Sequence, residues 1–260
     1  MYRFFLPIIA VLLTLLPPAA SAAGEALAAV ASNFAKPVER LVADYGDRTG
    51  HRVRLSLGST GKLYSQIVHG GPFDLFLAAD QARPARLLAD GLAVAGSLST
   101  YALGRLVLVR ADGGTAAPAI QRQDGFRRLA IANPKLAPYG VAAEQAIDAL
   151  GLTARLRGKL VFAENIAQAA AMVATGNAEA GLIAASLVSG PAWPVPAHLH
   201  APIRQDAVLL VRGRNNPAAM GFIAYLQSAE GRATIRAFGF GEDRPAVSYT
   251  HLTLPTTLLV

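Results

Sequence analysis

Residues 26–45 of this 260-residue chain read ALAAVASNFAKPVERLVADY, and this stretch decides the fold class. The short apolar run from Ala26 to Ala31 predicts a buried strand, which the pair Ser32-Asn33 interrupts. A helix is predicted from about Phe34 to Tyr45, because apolar residues recur there at helical spacing. Pro37 is compatible with that helix because it falls in the first turn. The stretch therefore predicts a strand, a polar junction and a helix.

The same order of elements recurs along the rest of the chain. Apolar strand-like runs alternate with amphipathic helical runs, and Gly, Pro or Asn residues separate them. The run from Leu103 to Arg110 is predicted as one strand. Strands that alternate with helices indicate parallel sheets with helices on both faces. A mature length of about 220 residues exceeds one typical domain, so two α/β lobes are predicted.

The predicted architecture is a two-lobed α/β fold, each lobe a mostly parallel sheet flanked by helices. Lobe one is discontinuous and comprises residues 24–106 and 203–243, whereas lobe two comprises residues 107–202. The chain then crosses twice between the lobes, and the two crossovers form a hinge beside a cleft. Ligands of open parallel sheets bind beyond the carboxyl ends of the strands, so a site is expected in the cleft.

Both ends of the chain are excluded from the predicted fold. Residues 1–22 have the pattern of a secretory signal peptide, with Arg3 before an apolar run and a small-residue cleavage site at Ala20-Ser21-Ala22. This pattern predicts export to the periplasm, since the apolar run is shorter than the roughly 20 residues that span a membrane. Residues 248–260, SYTHLTLPTTLLV, have neither helical nor strand periodicity, and we interpret them as a non-native tail.

Composition narrows the possible chemistry. The chain has no Cys, so disulfides, Cys metal sites and a Cys nucleophile are excluded. Its formal net charge of +7 favours the approach of anions. The Lys and Arg residues are scattered rather than clustered with aromatic residues, so no nucleic-acid partner is predicted. We expect a monomer without a cofactor and without a coordinated metal cation.

Four strand-to-helix junctions carry the residues that point to a function. Each places small or polar residues where a helix begins, and the four are Ser32-Asn33, Ser59-Thr60-Gly61, Tyr139-Gly140-Val141 and Asn165-Ile166. A helix N-terminus presents unpaired N–H groups and partial positive charge, which favours anions. Two junctions come from each predicted lobe, so together they could hold a small dianion without a cationic side chain. Taken singly, each junction could equally be an ordinary helix cap.

Several stretches resemble the periplasmic molybdate-binding proteins of ABC transporters. They are VASNF at 30–34, GSTG at 58–61, QIVHGGP at 66–72, DLFLAAD at 74–80, NP at 133–134, APYG at 137–140 and ENI at 164–166. The order and spacing match from about Ala26 to Phe240. The resemblance implies a type II periplasmic-binding-protein fold. It also implies high-affinity binding of molybdate or tungstate and delivery of that oxyanion to a membrane permease.

The resemblance further implies individual contacts. From lobe one these are the side chains of Ser32, Asn33, Ser59 and Thr60, and from lobe two the backbone N–H groups of Tyr139 and Ile166. Many members of the family add a Tyr hydroxyl where this chain has Ala184 and Ala185. Molybdate and tungstate have nearly the same size and charge, so a rigid cage is expected to bind both.

Three other interpretations remain open at this stage, and one of them is a pure adhesion or scaffold module, which would show no ligand-induced stabilisation. A binding protein for another oxyanion, such as sulfate, phosphate or a phosphonate, would use the same junctions. A secreted hydrolase is the alternative from a different class, with Ser59, His69 and Asp74 as a conceivable triad. The chain has no G-x-S-x-G motif, and Ser56 and Leu63 break the phosphate-loop pattern around Gly58 to Lys62. The sequence therefore predicts a binding protein rather than an enzyme.

Overall fold

The computed structural model describes residues 24–114 and 126–242. The predicted signal peptide and the predicted non-native tail lie outside these ranges. Within them, no helix combines the length and the apolar character that a membrane crossing requires.

The first sheet is built from five strands: β1 (Glu25–Ala31), β2 (Arg52–Gly58), β3 (Leu75–Leu77), β4 (Ser99–Gly104) and β10 (Ile203–Leu209). Their order across the sheet is β2-β1-β3-β10-β4. β1 pairs in parallel with β2 and β3, whereas β10 pairs antiparallel with β3 and β4. The associated helices are α1 (Ala35–Thr49), α2 (Thr60–Val68), α3 (Ala82–Ala89), α7 (Pro217–Gln227) and α8 (Ala229–Ala237).

The second sheet repeats this plan. Its strands are β5 (Leu106–Arg110), β6 (Leu129–Ala132), β7 (Leu160–Ala163), β8 (Ala180–Ala184) and β9 (Trp193–Pro194). They lie in the order β7-β6-β8-β5-β9. β6 is parallel to β7 and β8, and β5 is antiparallel to β8 and β9. Its helices are α4 (Pro138–Ala149), α5 (Thr153–Leu156) and α6 (Ile166–Ala174).

The predicted α/β class is confirmed, and each sheet is mixed. One strand of each sheet, β10 in the first and β5 in the second, runs antiparallel to both of its neighbours. The prediction of one strand from Leu103 to Arg110 is wrong. The chain forms two strands there, separated at Arg105, because β4 pairs with β10 in the first sheet and β5 pairs with β8 in the second. The exchange of pairing partners occurs inside one apolar run, where periodicity does not reveal it.

The first polar junction is anchored by an aromatic cluster beneath it. Phe34, directly after Asn33, is fully buried. Its ring meets Tyr101 edge-on at a centroid distance of 4.7 Å and Phe240 at 5.3 Å. Burying a side chain of this size stabilises the fold by about 1.5–3 kcal/mol. The Phe34 anchor therefore holds the 3-10 turn Ser32–Phe34 at the carboxyl end of β1.

Candidate functional site

One small cavity is lined by all six residues that the sequence singled out. Its lining comprises Ala31, Ser32, Asn33, Gly58, Ser59, Thr60, Ala79, Ala137, Pro138, Tyr139 and Ile166. The space among these residues, including its opening to solvent, is about 180 Å³. The six predicted residues are each 5% exposed or less. None of the lining residues carries a formal charge, so hydrogen bonding is the chemistry that this cavity offers.

Three hydroxyl oxygens in the lining each accept a hydrogen bond from a backbone N–H. The pairs are Lys62 N to Ser59 Oγ at 3.4 Å, Ala79 N to Thr60 Oγ1 at 3.1 Å and Ala167 N to Ser32 Oγ at 3.4 Å. A hydroxyl that accepts such a bond retains one proton to donate. These contacts therefore favour the hydroxyls as donors toward the cavity, which is the polarity that an anion requires.

Two helices of the second half add backbone N–H groups. Pro138 opens α4, so Tyr139 lies in its first turn, and Ile166 is the first residue of α6. The N–H groups of a first turn have no acceptor inside their own helix. Asn165 caps α6 by accepting a hydrogen bond from Gln168 N at 3.0 Å. An added Cβ at Gly140 would overlap the Ala132 carbonyl oxygen, so only glycine lets α4 start this close to β6.

Asn33 is held by two residues that the sequence analysis did not single out. Its Nδ2 donates to Gln205 Oε1 at 2.9 Å, and its backbone carbonyl accepts from Ser186 Oγ at 2.7 Å. Asn33 Oδ1 is buried and makes no hydrogen bond within the described part of the chain. Ser186 follows the Ala184-Ala185 pair, so the hydroxyl that the second half supplies there fixes the Asn33 backbone.

Two buried tyrosines complete the network around Gln205. Gln205 Nε2 donates to the Tyr139 hydroxyl at 3.4 Å, and the Tyr101 hydroxyl lies 3.1 Å from Gln205 Oε1 and 3.0 Å from the Ala78 carbonyl oxygen. Burial is the main cause that raises the pKa of both phenols, that of Tyr101 well above its usual value. Both hydroxyls therefore remain protonated at neutral pH. Gly104 lies against this network, because a Cβ there would overlap the Tyr139 hydroxyl.

Contacts between the two halves close the cavity. Gly61 N donates to the Leu136 carbonyl oxygen at 2.8 Å. Nearby, Lys62 Nζ lies 3.0 Å from Glu164 Oε1, in an ion pair whose side chains are 52% and 38% exposed. The Lys62 ammonium thus pairs with Glu164, and Lys62 is not among the residues that line the cavity.

The residues of the conceivable hydrolase triad have other partners. His69 Nδ1 lies 2.7 Å from the Ser65 carbonyl oxygen, and Asp74 Oδ2 accepts from Leu27 N at 2.8 Å. No hydrogen bond joins Ser59, His69 and Asp74 within residues 24–114 and 126–242. Over the same ranges, no group of three or more His, Asp or Glu residues is placed to hold a metal ion.

Two α/β halves with the same strand order, and a donor-lined cavity between them, define the class of extracellular solute-binding proteins. Residues 26–241 match the family model for bacterial extracellular solute-binding proteins. The chain is 46% identical over 231 residues to the molybdate-binding protein ModA of Azotobacter vinelandii, covering 85% of this chain and 92% of that protein. Identity to ModA of Rhodobacter capsulatus is 42% over 226 residues, covering 85% and 89%.

The solved structure of the Azotobacter vinelandii periplasmic molybdate-binding protein superposes with a TM-score of 0.80 at 33% identity, covering 84% of this chain and all of that chain. The sulfate-binding protein SubI of Mycobacterium tuberculosis shares the fold alone, with a TM-score of 0.68 at 13% identity. The chain therefore belongs to the bacterial extracellular solute-binding proteins, and within them to the family of molybdate-binding proteins. The predicted periplasmic-binding-protein fold is confirmed by these matches.

Proposed function

We propose that this protein binds molybdate, and tungstate with similar affinity, in the cavity between its two halves. The observation that carries the proposal is the convergence of Ser32, Asn33, Ser59, Thr60, Tyr139 and Ile166 on one cavity without charged side chains. The polarity of the hydroxyls supports it, because a dianion with four oxygens requires donors on every side. The names of the two bacterial relatives identify molybdate as their ligand.

The energetics of such a cage are sufficient without a cation. A hydrogen bond to a charged group contributes about 1.5–3 kcal/mol net. Half a dozen of them reach the roughly −8 to −12 kcal/mol that corresponds to micromolar to nanomolar affinity, after the costs of association. The three hydroxyls and the N–H groups of Tyr139 and Ile166 supply five of them, and the Asn33 amide supplies a sixth when its nitrogen faces the anion.

The family and the N-terminal sequence support a proposal for the cellular role. We place the mature protein in the periplasm, where it captures the oxyanion and delivers it as a monomer to the permease of an ABC transporter. Residues 24–106 with 203–243 and residues 107–202 act as the two lobes, with the segments near Arg105 and Ile203 as the hinge. The protein binds its solute and releases it unchanged, as solute-binding proteins do.

A second candidate is an oxyanion that carries a proton, such as hydrogen phosphate. The specific observation in its favour is Asn33 Oδ1, a buried acceptor without a partner in the described part of the chain. Such an atom suits a hydroxyl on the ligand, whereas it repels a fully deprotonated oxyanion.

The test is a thermal melt of residues 23–247 with and without excess molybdate, tungstate, sulfate or phosphate. A ligand at about 100 times its dissociation constant adds about 2.7 kcal/mol to stability, which raises the Tm by about 5–10 °C in a protein of this size. We expect that rise with molybdate and tungstate only. A rise with phosphate alone would support the second candidate and contradict the first.

The matched variants for this test are Ser59→Ala and Ser65→Ala, which remove a hydroxyl from two sites near the same helix. Ser59 lines the cavity and Ser65 is exposed on α2. We expect the molybdate-induced rise to shrink in the first variant and to persist in the second. Equal rises in both would show that Ser59 makes no ligand contact.

A further inference from the structure

We propose that Gln205 is a positioning residue that turns the Asn33 amide so that its nitrogen faces the bound oxyanion. This inference rests on the proposed function and names the residue that sets the polarity of one wall of the site. Gln205 itself is fully buried on β10 and is not among the residues that line the cavity. It acts through Asn33, with which its side-chain amide is in direct contact.

The Asn33 side chain leaves a hydrogen-bond acceptor unpartnered where an anion would require a donor. With Nδ2 donating to Gln205 Oε1, the remaining polar atom of the amide, Oδ1, is buried without a hydrogen bond. A buried acceptor without a partner destabilises the folded state. In a cavity whose other polar groups are donors, a carbonyl oxygen would also repel a dianion.

A half-turn of both amides removes the mismatch. Gln205 Nε2 then donates to Asn33 Oδ1, across the 2.9 Å that now separates Asn33 Nδ2 from Gln205 Oε1. The second proton of Gln205 Nε2 meets the Tyr101 hydroxyl, which remains bonded to the Ala78 carbonyl oxygen. Gln205 Oε1 comes to face the Tyr139 hydroxyl, which donates to it. Asn33 Nδ2 is released toward the cavity.

The surroundings of Gln205 accept either orientation. Tyr101 and Tyr139 flank it, and both are protonated, so each hydroxyl can donate or accept. The two arrangements differ in the direction of the Asn33–Gln205 and Gln205–Tyr139 hydrogen bonds, and both keep the bond from Tyr101 to the Ala78 carbonyl oxygen. The anion favours the arrangement in which Asn33 donates, because a charge-assisted hydrogen bond is about twice as strong as a neutral one.

The decisive variants are Gln205→Glu and Gln205→Met, studied by calorimetric titration with molybdate. A glutamate at 205 only accepts when it is ionised, and it then holds Asn33 Nδ2 away from the cavity, whereas methionine offers no donor to Asn33 Oδ1. The titrations are run above neutral pH, because burial raises the pKa of a carboxyl. We expect Gln205→Met to weaken molybdate binding about 10- to 100-fold and Gln205→Glu to weaken it further. Gln66→Glu, an exposed position on α2, controls for the added charge and should bind within about twofold of the unaltered protein.

A second measurement on the unaltered protein separates positioning from packing. The side-chain NH₂ signals of Asn33, assigned by their loss in Asn33→Ser, should shift when molybdate binds, because one proton enters a hydrogen bond to the anion. The same signals should not respond in Gln205→Glu. If Gln205→Glu fails to fold, the same comparison is made in Gln205→Met, where the Asn33 signals should respond less to molybdate than in the unaltered protein.

The outcomes distinguish the inference from the proposed function. If the unaltered protein binds molybdate but Gln205→Glu binds it equally well, or the Asn33 signals do not move, Gln205 does not position Asn33 and the proposed function stands. If the unaltered protein binds phosphate and not molybdate, Asn33 keeps its oxygen toward the cavity, and both statements are wrong.

Discussion

At the scale of single residues, Gly104 shows how little room the site leaves. A Cβ at this position would overlap the Tyr139 hydroxyl and would lie 2.7 Å from Gln205 Nε2. We expect Gly104→Ala to reduce the free energy of unfolding by about 1–3 kcal/mol, as overpacking of a filled interior does. Because Tyr139 would have to move, molybdate affinity should fall as well. Urea unfolding and calorimetric titration measure the two effects.

The control for this substitution is Gly158→Ala, where an added Cβ meets no atom within 4 Å. Its unfolding and binding should match those of the unaltered protein. Gly104→Ala with unchanged stability and unchanged affinity would show that the Tyr139 ring has space to retreat.

The cavity residues at the helix starts could be predicted from the sequence. The residues that contact them from outside the cavity could not. Ser32, Ser59 and Ile166 stand at strand-to-helix junctions, which small and polar residues mark in the sequence. Gln205 lies in a strand that enters the site from the far end of the chain, 172 positions from Asn33. Its neighbours in sequence, Arg204 and Asp206, make it look like an ordinary polar strand residue. Only the pairing of strands in space identifies it.

At the scale of elements, most helices and strands could be predicted because each has its own apolar period and a Gly, Pro or Asn at its end. Helix ends shifted by a few residues, as for α1, predicted to Tyr45 and found to reach Thr49. The split of Leu103 to Arg110 into β4 and β5 could not be predicted. Both strands are apolar, and the break at Arg105 depends on which sheet each strand joins.

The start of β8 is tied to β6 by Glu179, and this link makes stability depend on pH. Glu179 Oε2 accepts from Arg128 N at 2.9 Å and from Arg127 N at 3.3 Å. The Arg128 N–H is the main cause that lowers the pKa of Glu179 below its usual value. A carboxyl whose pKa is lower in the folded state adds stability above its unfolded pKa of about 4.3, and loses it as pH falls through the folded value.

We therefore expect Glu179→Gln to reduce the free energy of unfolding at pH 7, by less than about 1 kcal/mol because the carboxylate is partly exposed. The difference from the unaltered protein should shrink as the pH falls below about 4. Denaturant unfolding across pH 3–8 measures it, with Glu144→Gln on the exposed side of α4 as the control. A difference that stayed constant with pH would contradict a role for the ionised carboxylate.

At the scale of the whole molecule, the contacts between the halves predict that ligand binding favours a compact form. The bonds from Gly61 N to Leu136 O and from Ser186 Oγ to Asn33 O both bridge the two sheets beside the cavity. We expect the radius of gyration from X-ray scattering to fall when molybdate is added to the open protein. Scattering profiles that remain identical with and without molybdate would contradict closure about the hinge.

The burial of the cavity has a consequence for kinetics. The six predicted residues are 5% exposed or less, so an ion held among them has little contact with solvent while the halves are together. We expect escape to wait for the protein to open, and collective hinge motions of this kind occur on microsecond to millisecond timescales. The dissociation rate of the ion is then the opening rate multiplied by the probability that the ion escapes before the halves close again. The residence time is the inverse of that rate. A permease that holds the halves apart would shorten that time without contacting the ion.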